Sequence, residues 1–110
     1  MEEFRQGNFQ NAERALDQFL FQYPKSAYSA EATFWLGSSQ YALKKYKSAV
    51  TTQSRLVDLY PSSGRAADAL LNKGFAQLEL KRRKAARRTF KEVTQRYPDT
   101  KAARTAEARL

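Results

Sequence analysis

The chain has no cysteine and no histidine. Without cysteine there is no disulfide, no thiolate metal ligand and no thiol nucleophile; without histidine there is no imidazole base, zinc ligand or haem ligand. The remaining chemistry would need converging carboxylates or a Ser–Lys pair. The 11 acidic residues are scattered over the chain with no convergent pair. A chain so equipped is expected not to be an enzyme, to use no cofactor or metal, and to take no small-molecule substrate. The absence of cysteine leaves the redox compartment open. No apolar run approaches the length needed to cross a bilayer. Met1-Glu2-Glu3-Phe4 has neither the basic nor the apolar part of a signal peptide. Glycine (4) and proline (3) are scarce, which suits an all-helical chain with short turns.

What is present is a globular composition of 110 residues, 42 % hydrophobic and 13 % aromatic, enough for one domain over 1–110 with its own core. The formal net charge is +9. Such an excess points to nucleic acid, an anionic membrane or polymer, or an acidic protein, unless it serves only to keep an outer face solvated.

The strongest pattern is a repeat. Tyr23-Pro24, Tyr60-Pro61 and Tyr97-Pro98 are 37 residues apart, as are Ala12, Ala49 and Ala86, and Phe19, Leu56 and Val93. Ser26, Ser63 and Thr100 each stand two residues beyond the proline. A period of this size predicts a solenoid, in which each unit buries its apolar face against the next. Before each Tyr-Pro the apolar residues fall at helical steps: Phe9, Ala12, Leu16, Phe19, Leu20 and Tyr23 in the first copy, Ala86, Phe90, Val93 and Tyr97 in the third. Proline ends each of these helices near its tyrosine. Ser26, Ser63 and Thr100 are expected to cap the next helix with a side-chain oxygen.

The helices after the caps are predicted over roughly 27–43 and 64–80. Each carries a glycine at the same phase, Gly37 and Gly74. A mid-helix glycine costs about 1 kcal/mol relative to alanine, so its return predicts a close approach by a neighbouring helix. Short connections at Lys44-Lys45 and Lys81-Arg82 pair the helices antiparallel. The expected division is a partial first repeat (1–25), two full ones (26–62 and 63–99) and an Ala-rich capping helix (100–110). The fold class is therefore all-α, a right-handed helical solenoid of about three repeats with the first one truncated. Shifting helix 27–43 back by one period runs past the first residue, leaving only Met1–Gln6 of that copy. The chain is expected to be a fragment whose first six residues fray or whose bare edge is covered by a second molecule.

A helix pair with small residues at fixed phase, a terminal aromatic and proline in the turn resembles a tetratricopeptide repeat (TPR), whose usual period is 34. Phe90 fits the aromatic position of that repeat, which Gln53 and Leu16 occupy in the other copies; Trp35 lies two residues past the place of its tryptophan. The variant with Tyr23-Pro24-Lys25-Ser26, Ala30-Glu31-Ala32-Thr33 and Trp35-Leu36-Gly37 is similar to the C-terminal TPR domain of the Tol-Pal-associated periplasmic family called YbgF or CpoB. Tyr60-Pro61-Ser62-Ser63, Ala66-Ala67-Asp68-Ala69 and the ending Ala108-Arg109-Leu110 continue the likeness over nearly the whole chain. The resemblance implies a periplasmic protein of the bacterial cell envelope, made with a signal peptide and trimerised by an upstream coiled coil. It implies binding to TolA, a possible link to a peptidoglycan synthase, and a part in coordinating outer-membrane constriction with peptidoglycan synthesis during cell division. The TPR domain of another envelope assembly factor is a further alternative.

In a TPR stack the first helix of each pair lines a groove. The partner-binding candidates placed there are Phe34, Trp35, Ser38 and Tyr41 from one repeat, and Asp68, Leu71, Asn72, Phe75 and Leu78 from the next. Such a groove suits an amphipathic helix or an extended apolar peptide, with aromatics as anchors. Phe34, Trp35 and Phe75 have a competing role as filling between repeats. The second candidate surface is a basic ridge: Lys44 and Lys45 at one turn, Lys81, Arg82, Arg83, Lys84, Arg87 and Arg88 at the next. Cations at a helix start oppose its dipole, so this ridge does not serve its helix. A polyanion or nucleic-acid binder using the ridge is the alternative class, although no aromatics interleave with the cations for base stacking, and nucleic acid is not the expected partner.

Overall fold

The structure is a computed structural model that describes residues 8–110. Among these residues there are six helices and no strand: α1 (Phe9–Gln22), α2 (Ser29–Ala42), α3 (Tyr46–Leu59), α4 (Ala66–Glu79), α5 (Arg83–Arg96) and α6 (Lys101–Glu107). The first five are each 14 residues long. The starts of α1, α3 and α5 keep the 37-residue interval, as do those of α2 and α4. Each helix packs on its neighbours in sequence, and α2 also reaches α4 and α4 reaches α6. That pattern is a helical solenoid. The expectation for residues 1–6 lies outside the described residues.

The Tyr-Pro pairs act twice. Tyr23, Tyr60 and Tyr97 end α1, α3 and α5 at nearly the same backbone angle, φ −131°, −132° and −131°. Proline supplies no N–H and disfavours helical geometry in the residue before it, so the helix stops there. The tyrosine hydroxyls then join repeats: Tyr60 donates to the Pro24 carbonyl at 3.4 Å and Tyr97 to the Pro61 carbonyl at 2.8 Å.

The caps differ from the sequence expectation. Thr100 does cap α6, accepting from the Ala103 N–H at 3.1 Å. Ser26 and Ser63 stand too early: their hydroxyls accept from the N–H groups of Tyr28 and Arg65, closing turns two residues long, and the helices begin at Ser29 and Ala66. The capping positions are Tyr28 and Arg65, with no side-chain cap. Ser29, fully buried, ties the first of these turns by donating to the Tyr23 carbonyl and accepting from the Ser26 N–H.

At the other ends of α2 and α4 the chain reverses through Lys44 (φ 64°) and Lys81 (φ 62°), both left-handed. The N–H of Lys45 reaches back to the Gln40 carbonyl and that of Lys44 to Tyr41; Arg82 and Lys81 repeat this with Gln77 and Leu78. This paired closure satisfies the last helical carbonyls, with lysine where glycine is usual.

The glycines sit under neighbouring side chains. A Cβ on Gly74 would lie 2.5 Å from Cε1 of Phe90, and one on Gly37 would meet the Gln53 amide. The main core joins Phe34, Leu56, Val57, Ala69, Leu70, Phe90 and Val93 across the repeats. It is closed by α6, whose Ala102, Ala103 and Ala106 are buried while Lys101, Arg104, Thr105 and Glu107 face water. A smaller cluster of Ala12, Leu16, Ala32 and Leu36 holds α1 on α2.

Candidate protein-binding surfaces

The first surface lies where α2 faces α4. Successive turns of a helix place residues three and four apart on one side, so Ser38 and Tyr41 of α2 stand together, as do Asn72 and Phe75 of α4. These four line one cavity of about 170 Å³. Its floor is fixed by packing: Phe75 meets Phe90 edge-on with centroids 5.4 Å apart, and Tyr41 meets Tyr46 at 5.2 Å. The Ser38 hydroxyl donates to the Phe34 carbonyl at 3.0 Å. The Tyr41 hydroxyl is 3.5 Å from the Glu79 carboxylate. Burial, followed by the charge of Glu79, pushes the Tyr41 phenol above its ordinary value, so it stays a neutral donor.

Phe34 must be corrected. It is 7 % exposed and belongs to the core between repeats, so its ring is not offered to a partner. Arg65 packs beside it, with its guanidinium 4.8 Å from the Phe34 centroid and 5.2 Å from that of Trp35. Arg65 is held there by Glu31, to which its Nε and Nη2 donate at 2.8 and 2.7 Å. Those hydrogen bonds hold the Glu31 carboxyl below the ordinary carboxylate range against the opposing effect of burial, and the Trp35 indole adds another at 3.1 Å. Asp68, half-buried, adds its charge to the field that raises Arg65 further. Leu71 and Leu78 are half-buried against the same core, presenting edges only.

Trp35 opens elsewhere. With Leu16, Phe19, Tyr28, Glu31 and Ala32 it lines a larger cavity of about 450 Å³ between α1 and α2. The candidate residues are thus divided: Ser38, Tyr41, Asn72 and Phe75 meet, Trp35 lines a second pocket, and Phe34 lines neither and belongs to the core. Sequence reasoning missed Tyr28, Arg65 and Arg109. The Arg109 guanidinium lies 5.0 Å over the Phe75 ring, a contact that only the return of the chain after α6 makes possible. Arg65 had a signal: it occupies the register of Tyr28, a place where the other copy holds an aromatic.

The second surface is basic. Arg83, Lys84, Arg87 and Arg88 are exposed on α5, with Lys91 one turn further, a residue left out of the ridge as read from sequence. Lys44, Lys81 and Arg82 are exposed at the turns. Lys45 differs, because its ammonium is paired with Glu13 at 2.8 Å. Its charge is therefore spent within the fold. Arg82 stands at the same register one repeat on, but Val50 replaces the acid there, and none of the ion pairs among the described residues involves Arg82 or any cation of α5 before Arg96.

Among the described residues no group of three or more acids is placed to hold a metal ion, and no helix is long and apolar enough to cross a membrane. Two family models, both described as tetratricopeptide repeat, match the chain, one over residues 1–64 and one over 68–100. No curated protein matches it significantly.

Proposed function

This chain belongs to the tetratricopeptide-repeat family, and from that premise we propose that it is a protein-interaction scaffold whose α2–α4 groove holds a segment of a cell-envelope protein. Repeats of this family generally bind proteins and are not catalysts. The observation that carries the reading is the meeting of Ser38, Tyr41, Asn72 and Phe75 around one cavity. Two aromatic edges there offer an apolar seat, while a neutral phenol and a primary amide offer hydrogen bonds. An amphipathic segment satisfies both.

TolA is the partner proposed, with a peptidoglycan synthase as a further one, in the periplasm and in the division role that the Tyr-Pro-Lys-Ser and Trp-Leu-Gly motifs imply by resemblance. Trimerisation through a coiled coil belongs to the same proposal. Titrating the chain with a TolA fragment, against Tyr41→Ala and Phe75→Ala, tests it. Each variant is expected to weaken binding by roughly tenfold or more, the usual loss at a central aromatic anchor. Unchanged affinity in folded variants removes the groove, and no binding of the fragment removes TolA.

A further inference from the structure

We infer that the outer face of α5 is a second docking surface, which takes an acidic helix of a partner protein. Arg83, Lys84, Arg87, Arg88 and Lys91 are all exposed on it. They fall in two rows, 83-87-91 and 84-88, that run along one side of the helix for about 12 Å. The opposite side, with Ala86, Phe90 and Val93, is buried in the core, so the rows are held rigidly and point to water.

The fold gives no account of these charges. The first turn of α5 carries no acid and begins with Arg83 and Lys84, where the helix dipole repels cations. Like charges four residues apart repel as well. The repeat itself supplies the control: the same register reads Phe9, Gln10, Glu13, Arg14 and Asp17 on α1, and Tyr46, Lys47, Val50, Thr51 and Ser54 on α3. Both of those helices have the same length as α5 and carry one cation each in this register, against five on α5. At the adjoining turn, Lys45 has Glu13 to pair with whereas Arg82 has Val50 in its place. Only the third copy carries bases at all five of these positions.

The partner's chemistry follows from the shape of the face. Unstacked nucleobases need aromatic platforms, and the face has none. A membrane-surface helix needs an apolar side to insert, and that of α5 is committed to the core. Rigid rows at helical pitch match carboxylates repeating at the same pitch on a second helix, and guanidinium groups hold carboxylates in paired hydrogen bonds. The surface lies apart from the α2–α4 groove, so one chain can hold two partners.

The test titrates the whole chain with three probes at two salt concentrations. These are a helical peptide with Glu at every fourth position, a peptide of the same composition with its Glu residues spread around the helix, and a DNA duplex; phosphatidylglycerol vesicles serve as a fourth. The row-patterned peptide is expected to bind most tightly. Arg83→Gln/Arg87→Gln/Lys91→Gln should weaken it by roughly tenfold, while Arg14→Gln/Lys101→Gln/Arg104→Gln, with the same loss of charge, should weaken it far less. Reversing the row to Glu and the peptide's acids to Lys should restore binding. Tighter binding of DNA or vesicles, equal binding of the two peptides, equal losses in the two triple variants or no binding at all would each overturn the proposal. Circular dichroism checks that the variants are folded.

Discussion

Gly74→Ala isolates the role of the repeated glycine. The substitution would place a Cβ 2.5 Å from Cε1, 2.9 Å from Cδ1 and 3.0 Å from Cζ of Phe90. That ring is 2 % exposed and packed edge-on against Phe75, so it has no open direction in which to turn. Helix propensity alone favours alanine by about 1 kcal/mol. Overpacking a filled core costs about 1–3 kcal/mol. The net expectation is a loss of up to about 2 kcal/mol. Gly37→Ala provides the comparison, because the nearest atoms there are the end of the Gln53 side chain, which can swing away at the cost of its 3.3 Å hydrogen bond to the Phe34 carbonyl. Its propensity gain and packing loss should roughly cancel. Urea unfolding followed by circular dichroism measures both. Combining Gly74→Ala with Phe90→Leu completes a cycle in which the new methyl occupies space the ring has left, giving a favourable coupling of about 1 kcal/mol or more. Stabilisation by the full propensity gain in Gly74→Ala, or an uncoupled double variant, would refute the steric account.

Gln53→Leu should raise stability by about 1 kcal/mol, because Gln53 is 1 % exposed and its Oε1 has no partner; a higher urea midpoint at unchanged slope would register it. Lys81→Gly should stabilise by roughly 0.5–1 kcal/mol, since φ 62° strains any side chain there, whereas Arg88→Gly inside α5 should cost about 1 kcal/mol in the same assay. The Glu31–Arg65 pair gives a pH dependence: the folded carboxyl titrates below its ordinary 4.5, chiefly through the hydrogen bonds from Arg65, so its contribution is complete above that value and lost as pH falls through the lower one. With the Glu31 side chain 46 % exposed the effect is screened to under about 1 kcal/mol, and the stability gap to Glu31→Gln should close on acidification.

Helix order and the solenoid were legible because the repeat is written in steric terms. Proline stops a helix wherever it stands, and an apolar stripe at helical spacing needs a neighbour whatever else surrounds it. The close approach at Gly37 and Gly74 was legible for the same reason. Features that depend on two distant segments were not. Whether Phe34 faces a partner or the core turned on packing partners a repeat away, among them Leu70 in the core and Arg65, 31 residues on, held beside the ring by Glu31. The pairing of Lys45 turned on Glu13, and the cover over Phe75 on Arg109. Local spacing also misplaced Ser26 and Ser63, since the same hydroxyl serves a turn or a helix cap depending on where the first helical N–H falls.

Agreement and disagreement among the copies separate structure from interaction. Ala12, Ala49 and Ala86 are alike and all buried, and the Tyr-Pro pairs are alike because each ends a helix and two of the tyrosines bond the preceding turn. Because a solenoid's stability is close to a sum over similar units, a position where one copy departs from the others is not required by the fold. Inside the core such a departure is a defect, as at Gln53, where the third copy has Phe90. On the surface it costs only weak repulsion, so it persists where something outside the chain offsets that cost. Tyr41 with Asn72 in the groove, and the cations of α5, are departures of the second kind. They differ in chemistry, one neutral with aromatic edges and hydrogen-bonding groups, the other charged, and so call for two different partners. A single partner spanning both would lose affinity with either set of variants, and its salt dependence would shrink once the α5 row is neutralised with the groove intact; two independent partners would each respond to one set of variants alone.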